Sequence, residues 1–420
     1  MAETDRMNID ERRKYLHKIW GRYRDSTKQE KGQLLTEAEA ITGLHRKSIL
    51  RILNGRLSRK KREKQRGKSY GCEVEDALHI IARSLDYPCA ERLKPNLTWM
   101  SEHLAVYGEL KLDAELREQL AKVSISTVKR LMKKRGKAEP KLAFRKSPSQ
   151  RQKQLSRSIP IQRIDWQTEE PGHFEVDLVH HCGPTAGGIF VYSLQMVDVA
   201  TGWAEPTAIY GNSFQATKDG FDFLLARLPF AVLELHPDNG AEFINQLLYR
   251  HWHDLVPNLQ VSRSKPYRKN NNRFVEENNH SLIRAYIGHS RFDSLEQLTC
   301  LRELYDKLWL YHNFFLPVMH LKQKRITPQH NLLRIHDQAL TPLDRLIKSG
   351  VLSKSRETDL LETRRAINPM LLRSQIDNLI TRLLELPCLK PGEKIDFYQT
   401  KHNLKEPSVT LSFEPTTMSR

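Results

Sequence analysis

The chain has 420 residues, 39% of them hydrophobic, and a formal net charge of +18 at pH 7. That length supports roughly two to four domains with cores of their own, and no run of about eighteen apolar residues offers a membrane span. The five cysteines (Cys72, Cys89, Cys182, Cys300, Cys388) are scattered without a C-x-x-C pair, which argues against a disulfide framework and a cysteine-rich zinc site. The charged start "MAETDRMNIDERRKY" lacks the apolar segment of a signal peptide, so a cytoplasmic, nucleoid-associated protein is expected. The basic excess is clustered, which favours a polyanionic partner, because Lys and Arg that displace counterions from phosphates bind without regard to sequence.

Residues 11 to 55 read as helical. In "LLTEAEAITGLHRKSILRILNG" a helix runs from about Thr36, Gly43 makes a turn, and a second helix sets Ser48, Ile49 and Ile52 inward. This is the pattern of a helix-turn-helix, with His45, Arg46, Lys47 and Arg51 dressing the groove-facing helix. Glu39, four before the glycine, is an imperfect match where a small residue packs best; an ordinary helical hairpin is the plainer alternative. Next comes "RLSRKKREKQRGK", with eight basic residues and one acid, which cannot collapse into a core and reads as a phosphate-tracking arm. The first domain is therefore set at 1–68. A second helical region, 69–134, ends in "LREQLAKVSISTVKRLMKK", where Val123-Ser124 form a turn and Ser126, Thr127, Lys129 and Arg130 lie on the following helix. It reads as a second helix-turn-helix, and two in tandem bind a longer DNA site. Residues 135–171 read as a basic, largely extended linker.

From 172 the pattern changes. "HFEVDLVHH" and "GIFVYSLQMVDVA" are strands joined by the turn-rich "CGPTAGG". "GWAEPTAIYG" is a third, edge-type strand, since Pro206 cannot donate to a central ladder. "SFQATKDGFDFLLARL" is a helix with Ser213 as N-cap. "AVLELH" is a short buried strand, "NGAEFINQLLYRHWHDL" opens a helix, and "LQVSRSKPY" supplies a last strand. Strands that meander first and then alternate with helices make a mixed α/β domain, 172–295. Residues 296–388 read as a helical C-terminal region whose role is DNA binding or subunit contact, and 389–420 as a flexible tail.

Three acids sit where this topology can gather them. Asp177 lies amid Val176, Leu178 and Val179, where an acid is costly to bury without compensation such as a cation. Asp238, in "HPDNGAEF", stands at a strand's carboxyl end, the usual place for sites in open α/β sheets. Glu276, in "RKNNNRFVEENNHSLIR", opens a helix. Mg²⁺ prefers oxygen ligands and keeps several waters, so a few carboxylates plus substrate phosphates suffice. Two such ions about 3.5–4 Å apart serve both the attacking and the leaving oxygen of a displacement. Taken singly, Asp238 could instead cap its helix and Glu276 complement a helix dipole.

"EVDLV", "HPDNGAEF" and "SKPYRKNNNRFVEENN", in this order, resemble the DDE transposase and retroviral-integrase superfamily. Sixty residues separate the two aspartates and thirty-seven separate Asp238 from Glu276, a spacing similar to that family's. Over about residues 172 to 290 the resemblance implies a ribonuclease H-like core. "YHNFFLPVMHLKQK" and the tandem helix-turn-helix front are similar to bacterial insertion-sequence transposases. The implied fold is a multidomain α + α/β chain: helix-turn-helix domains, a mixed-sheet catalytic core and a helical C-terminal region. The implied activity is metal-dependent cleavage at the ends of an element, followed by transfer of the 3′-hydroxyl into target DNA. Asp177, Asp238 and Glu276 would hold Mg²⁺ or Mn²⁺, two ions to a site, with a dimer or larger assembly on double-stranded DNA.

The chain lacks the family's frontal His-His-Cys-Cys spacing, so no structural zinc is expected. Glu277 is the alternative third ligand if the register slips. Lys265, Arg268, Lys269 and Arg273 would hold the DNA backbone, with His280 and Arg284 on the helix face of Glu276; a solvated loop is the bland reading of the first four. His180, His181 and Cys182 form a cluster more in keeping with a structural role than with zinc. His236 faces toward the site, Asp198 reads as a supporting acid or turn former, and Trp203, Trp309, Phe314 and Phe315 read as core. Rival functions are a DNA-binding transposition regulator with an inactive core, a ribonuclease H-like nuclease that only hydrolyses, and, more remotely, a tyrosine recombinase.

Overall fold

A computed structural model describes residues 7–55, 70–134, 168–184, 187–238, 243, 246–262, 273–326 and 332–389. The basic arm at 56–68, most of the linker, Lys265, Arg268, Lys269, the asparagines 270–272 and the tail from 390 lie outside them. The chain divides into two compact units, Met1–Ser69 and Tyr70–Arg420.

The smaller unit has three helices: α1 (Ile9–Asp25), α2 (Lys28–Thr42) and α3 (Arg46–Leu53). Leu16, Ile19, Leu34, Leu35, Ala38, Ile49 and Leu53 form its buried centre. α2 begins eight residues before the expected Thr36 because Thr27 and Glu30 form a reciprocal capping box, which satisfies free N–H groups at the helix start. Gly43 ends α2 at φ 64°, and its N–H donates to the Glu39 carbonyl. Such a left-handed cap favours glycine. The Glu39 carboxylate accepts from the Arg46 backbone N–H at 3.3 Å, so the acid that sat badly in the sequence pattern caps the start of α3.

In the larger unit come α4 (Cys72–Ser84), α5 (Ala90–Leu93), α6 (Leu97–Val106), α7 (Ala114–Lys122) and α8 (Ile125–Lys134). The turn between α7 and α8 falls at Val123-Ser124 as expected, with Ser124 Oγ accepting from Thr127 N at 3.2 Å. These helices do not stand as a module of their own. Their apolar faces join the core of the sheet region; Tyr311 Oη donates to the Ser84 carbonyl at 2.8 Å, and Arg373 pairs with Asp86 at 3.1 Å.

The sheet strands are β1 (His173–His180), β2 (Val191–Asp198), β3 (Ala204–Tyr210), β4 (Glu234–Pro237) and β5 (Gln260–Val261), in the order β3-β2-β1-β4-β5. β1, β2 and β3 pair antiparallel, whereas β4 runs parallel to β1 and β5 to β4. Pro206 does lie on an edge strand. Helix α9 (Phe214–Arg227) starts at the predicted Ser213 cap. Gly220 lets α9 lie close on the sheet: a Cβ there would meet Ile209 Cγ2 at 2.8 Å and Leu194 Cδ2 at 3.0 Å, closer than packed carbons tolerate. α10 (Gln246–Leu255) follows, then α11 (Arg273–Asn278), a π-helical segment Asn279–Arg284, and α12 (Ala285–Ile287).

The long α13 (Leu295–Phe314) packs along β3, burying Trp309 and Phe314. The C-terminal region is not purely helical. A two-stranded hairpin, β6 (Leu321–Ile326) and β7 (Leu332–His336), precedes α14 (Pro342–Ser349), α15 (Lys354–Arg365) and α16 (Pro369–Glu385). β6 has apolar residues only at its two ends and β7 has three of five without clean alternation, so periodicity did not reveal them. α16 packs on α13 and α4, and α14 packs on α13.

Candidate active site

Asp177 lies in the middle of β1, at the centre of the sheet. Parallel pairing sets Glu175 beside His236 and Val176 beside Pro237. Carried one residue on, that register brings Asp238 next to Asp177 across neighbouring strands, whose spacing is about 4.8 Å. Glu276 arrives from α11. Burial first, then the negative charge of Asp238 and, more weakly, of Glu276 hold the Asp177 carboxyl well above the usual carboxylate range. The Leu178 N–H donates to Asp177 Oδ1 at 2.8 Å and the Asn279 amide to Oδ2 at 2.6 Å, and both act the other way. Glu277, the next residue, lines a cavity beside α11.

Glu175 was overlooked in the sequence reading. It shares the Asp177 face of β1 by the two-residue period of a strand and is almost fully buried, at 1% exposed. Its Oε2 accepts from the backbone N–H groups of Phe274 and Val275 at 2.7 and 2.9 Å. Those are unpaired donors of the first turn of α11, so Glu175 ties the start of the helix bearing Glu276 to the strand bearing Asp177. Burial pushes its carboxyl up to about 7, against the lowering effect of these two N–H groups. Asn279 was quoted in the motif but given no role. It opens the π-helical segment, a local widening of the helix common at functional sites, and its amide reaches Asp177 from there.

The remaining candidates divide. His236 is buried and bonded to Ser262 Oγ at 2.7 Å, with burial lowering its pKa to about 4; Ser262 in turn donates to Glu234. Asp198 proves a turn former, accepting from Gly172 N and from Thr201 N and Oγ1 at 2.6 to 2.8 Å. His181 is buried against Ser193 Oγ at 2.6 Å. Trp203, Trp309, Phe314 and Phe315 are core residues.

Two of the residues expected at DNA also bond within the fold. The Arg46 guanidinium donates to Thr36 Oγ1 and the Gly32 carbonyl at 3.0 and 3.1 Å. Arg284 donates to the carbonyls of His180 and Gly288 at 2.7 and 3.0 Å. Each guanidinium thus ties neighbouring segments of chain through two of its five N–H donors. His45 caps α3 through Nδ1, accepting from Lys47 N at 3.3 Å. Lys47, Arg51, Ser126, Lys129, Arg130 and His280 are exposed, and Thr127 and Arg273 are half-buried.

Among the described residues, no three or more His, Cys, Asp or Glu side chains stand close enough together to hold a metal ion by themselves. The donor set still suits a hard divalent cation. Its members are all carboxylates, and Asp177 is driven up by burial first and then by its acidic neighbours, a repulsion that a cation relieves. Mg²⁺ also needs only one or two protein carboxylates where substrate phosphates and water complete its shell.

No helix among the described residues is long and apolar enough to cross a membrane. No family model matches the chain. Among solved structures, the catalytic core domain of BIV integrase is similar at 17% identity, covering 43% of this chain and 95% of that one, with a TM-score of 0.28; a score that low carries no argument about the fold. A protein of Sinorhizobium fredii, named as uncharacterized protein y4rM, is 32% identical over 323 residues, which span 76% of this chain and 90% of the relative. With that identity over nearly the whole of the relative, the chain belongs to the same family as y4rM.

Proposed function

We propose that the protein is a DNA transposase that cuts the ends of a mobile element and joins the resulting 3′-hydroxyl to target DNA by metal-dependent phosphoryl transfer. The observation that carries this reading is the meeting of charges at Asp177, which lies under the influence of both Asp238 and Glu276 although the three come from two strands and a helix. Asp177, Asp238 and Glu276 would hold Mg²⁺ or Mn²⁺. When bound, the ions supply charge neutralisation at the phosphate and a lowered pKa for the attacking water or hydroxyl. Asn279 orients Asp177, and Glu175 fixes the helix start from which Glu276 projects. The helical unit at the front and the segment ending in α8 bind the element ends through Lys47, Arg51, Lys129 and Arg130, and ends are joined in pairs by a dimer or larger assembly.

The test is a labelled duplex made from the DNA flanking this chain's own coding sequence, incubated with the full chain and Mg²⁺ or with chelator. Nicked ends bearing 3′-hydroxyls, together with longer joined products that vanish with chelator, are expected. No magnesium-dependent change, cut ends without joined ones, or a covalent protein–DNA adduct would each overturn the reading.

Two further results follow from the contacts. Glu175→Ala frees the start of α11 and is expected to slow cutting by about a hundredfold, the scale of a misplacement of about 1 Å at a reacting centre. Glu175→Gln, whose carbonyl still accepts two N–H bonds, should recover most of it; equal rates for Ala and parent would remove Glu175 from the positioning role. At the front, Arg51→Ala is expected to flatten the salt dependence of end binding by about one released counterion without moving the melting temperature. Arg46→Ala should lower the melting temperature instead, and the reverse pattern would show that the two arginines have been assigned the wrong way round.

A further inference from the structure

The larger unit contains a cavity of about 550 Å³, within the size range of small-molecule and cofactor sites. One part of its wall is Glu277, Asn278 and Ser281, which follow Glu276 along the same helical stretch; another is the β6–β7 hairpin, through Lys324 and Arg334. Those two basic residues stand directly opposite each other across the hairpin and are both exposed. Like charges in that register destabilise a two-stranded ribbon, and such a ribbon is marginal to begin with.

Arg92 and Arg273 add to the basic lining, whereas Asp86 and Glu277 are its only acids among the described residues, and Asp86 is paired with Arg373. The cavity is therefore suited to an anion. The turn after α4 brings Tyr87 into the lining, and that residue is 38% exposed. Asp86 and Tyr87 have φ of 57° and 51°, two consecutive non-glycine residues in the left-handed region. They close the turn that ends α4, where the Asp86 N–H bonds to the Arg83 carbonyl at 3.3 Å. Here the Tyr87 N–H is fastened to the Ala82 carbonyl at 2.7 Å.

We propose that this cavity holds one unpaired nucleotide of the DNA strand that reaches the carboxylate site, with its phosphate at Lys324 and Arg334 and its base stacked on Tyr87. The proposal rests on the transposase reading for its ligand, but its test does not require catalysis. Binding of the full chain to a thymidine strand of about ten nucleotides, within the site sizes of single-strand binders, is compared with binding to a duplex of equal length.

Tyr87→Ala is expected to weaken strand binding about tenfold and leave duplex binding unchanged, while Tyr87→Phe keeps parental affinity. The double variant Lys324→Ala, Arg334→Ala should flatten the salt dependence on the strand by about one to two phosphate contacts, with a cooperative melting curve showing that it folds. If Tyr87→Ala melts early, the charge pair alone decides. Parental strand binding in these variants, or equal losses on strand and duplex, overturns the pocket. A parent chain that binds neither DNA overturns the transposase reading itself.

Discussion

Asp177→Asn is expected to reduce magnesium-dependent cutting and joining by at least about a thousandfold, equivalent to about 4 kcal/mol of transition-state stabilisation. The same variant should bind element ends as well as the parent does and be at least as stable. The reason lies in the carboxyl's surroundings. In the folded chain Asp177 is desolvated and repelled by Asp238 and Glu276, so its folded pKa lies above its unfolded one. A raised acid binds its proton more tightly in the folded state, and stability falls as pH climbs from the unfolded pKa to the folded one. A neutral amide removes that cost; its one oxygen keeps the Leu178 N–H, and its NH₂ donates to Asn279 once that amide turns its Oδ1 inward. Asp238→Asn should behave alike in activity. Melting curves and strand-transfer gels on the same samples check the pair of effects; an active Asp177→Asn protein would remove that residue from the site, and a destabilised one would show that its charge is needed for the fold.

The second large effect is on stability, away from the site. Glu205 lies fully buried on β3 and is the hub of a polar cluster. Its Oε1 accepts from the indole N–H groups of Trp203 and Trp309 at 2.8 and 2.7 Å, and its Oε2 pairs with Arg227 at 2.7 Å. Arg227 also reaches Asp306 and the Pro206 carbonyl, both at 3.0 Å. Glu205→Ala would leave a buried guanidinium short of a partner and two indole donors unsatisfied. Breaking a buried ion pair from one side costs about 3–5 kcal/mol, so the urea midpoint of the larger unit should fall by a corresponding amount. Glu205→Gln, which can still accept from the indoles, should fall less. A parental midpoint for the alanine variant would mean that Arg227 and the tryptophans find other partners.

The strands of the five-stranded sheet, the Ser213 cap and the edge position of Pro206 were legible because each leaves a local trace: alternating apolar residues, a capping side chain, a missing N–H. The neighbourhood of Asp177 and Asp238 was legible through their places in and after apolar runs. Glu175 was not, because an acid in a strand looks the same whether it meets solvent or the N–H groups of Phe274 and Val275, about a hundred residues away in sequence. Glu205 was hidden likewise, as were the internal bonds of Arg46 and Arg284: a basic residue on a short helix gives no sign that backbone carbonyls will claim it. The early start of α2 is written in Thr27 and Glu30, which form a capping box. The shared core of α4–α8 with the sheet depends on long-range packing that neither periodicity nor composition records.

The central claim, that acids from two strands and a helix gather about divalent cations, is tested most directly by crystals of the full chain grown with manganese and measured at its absorption edge. An anomalous peak bounded by carboxylate oxygens of Asp177, Asp238 and Glu276 is the predicted result. Manganese bound elsewhere, or the three carboxylates held farther apart than two ions separated by about 4 Å can bridge, would contradict it.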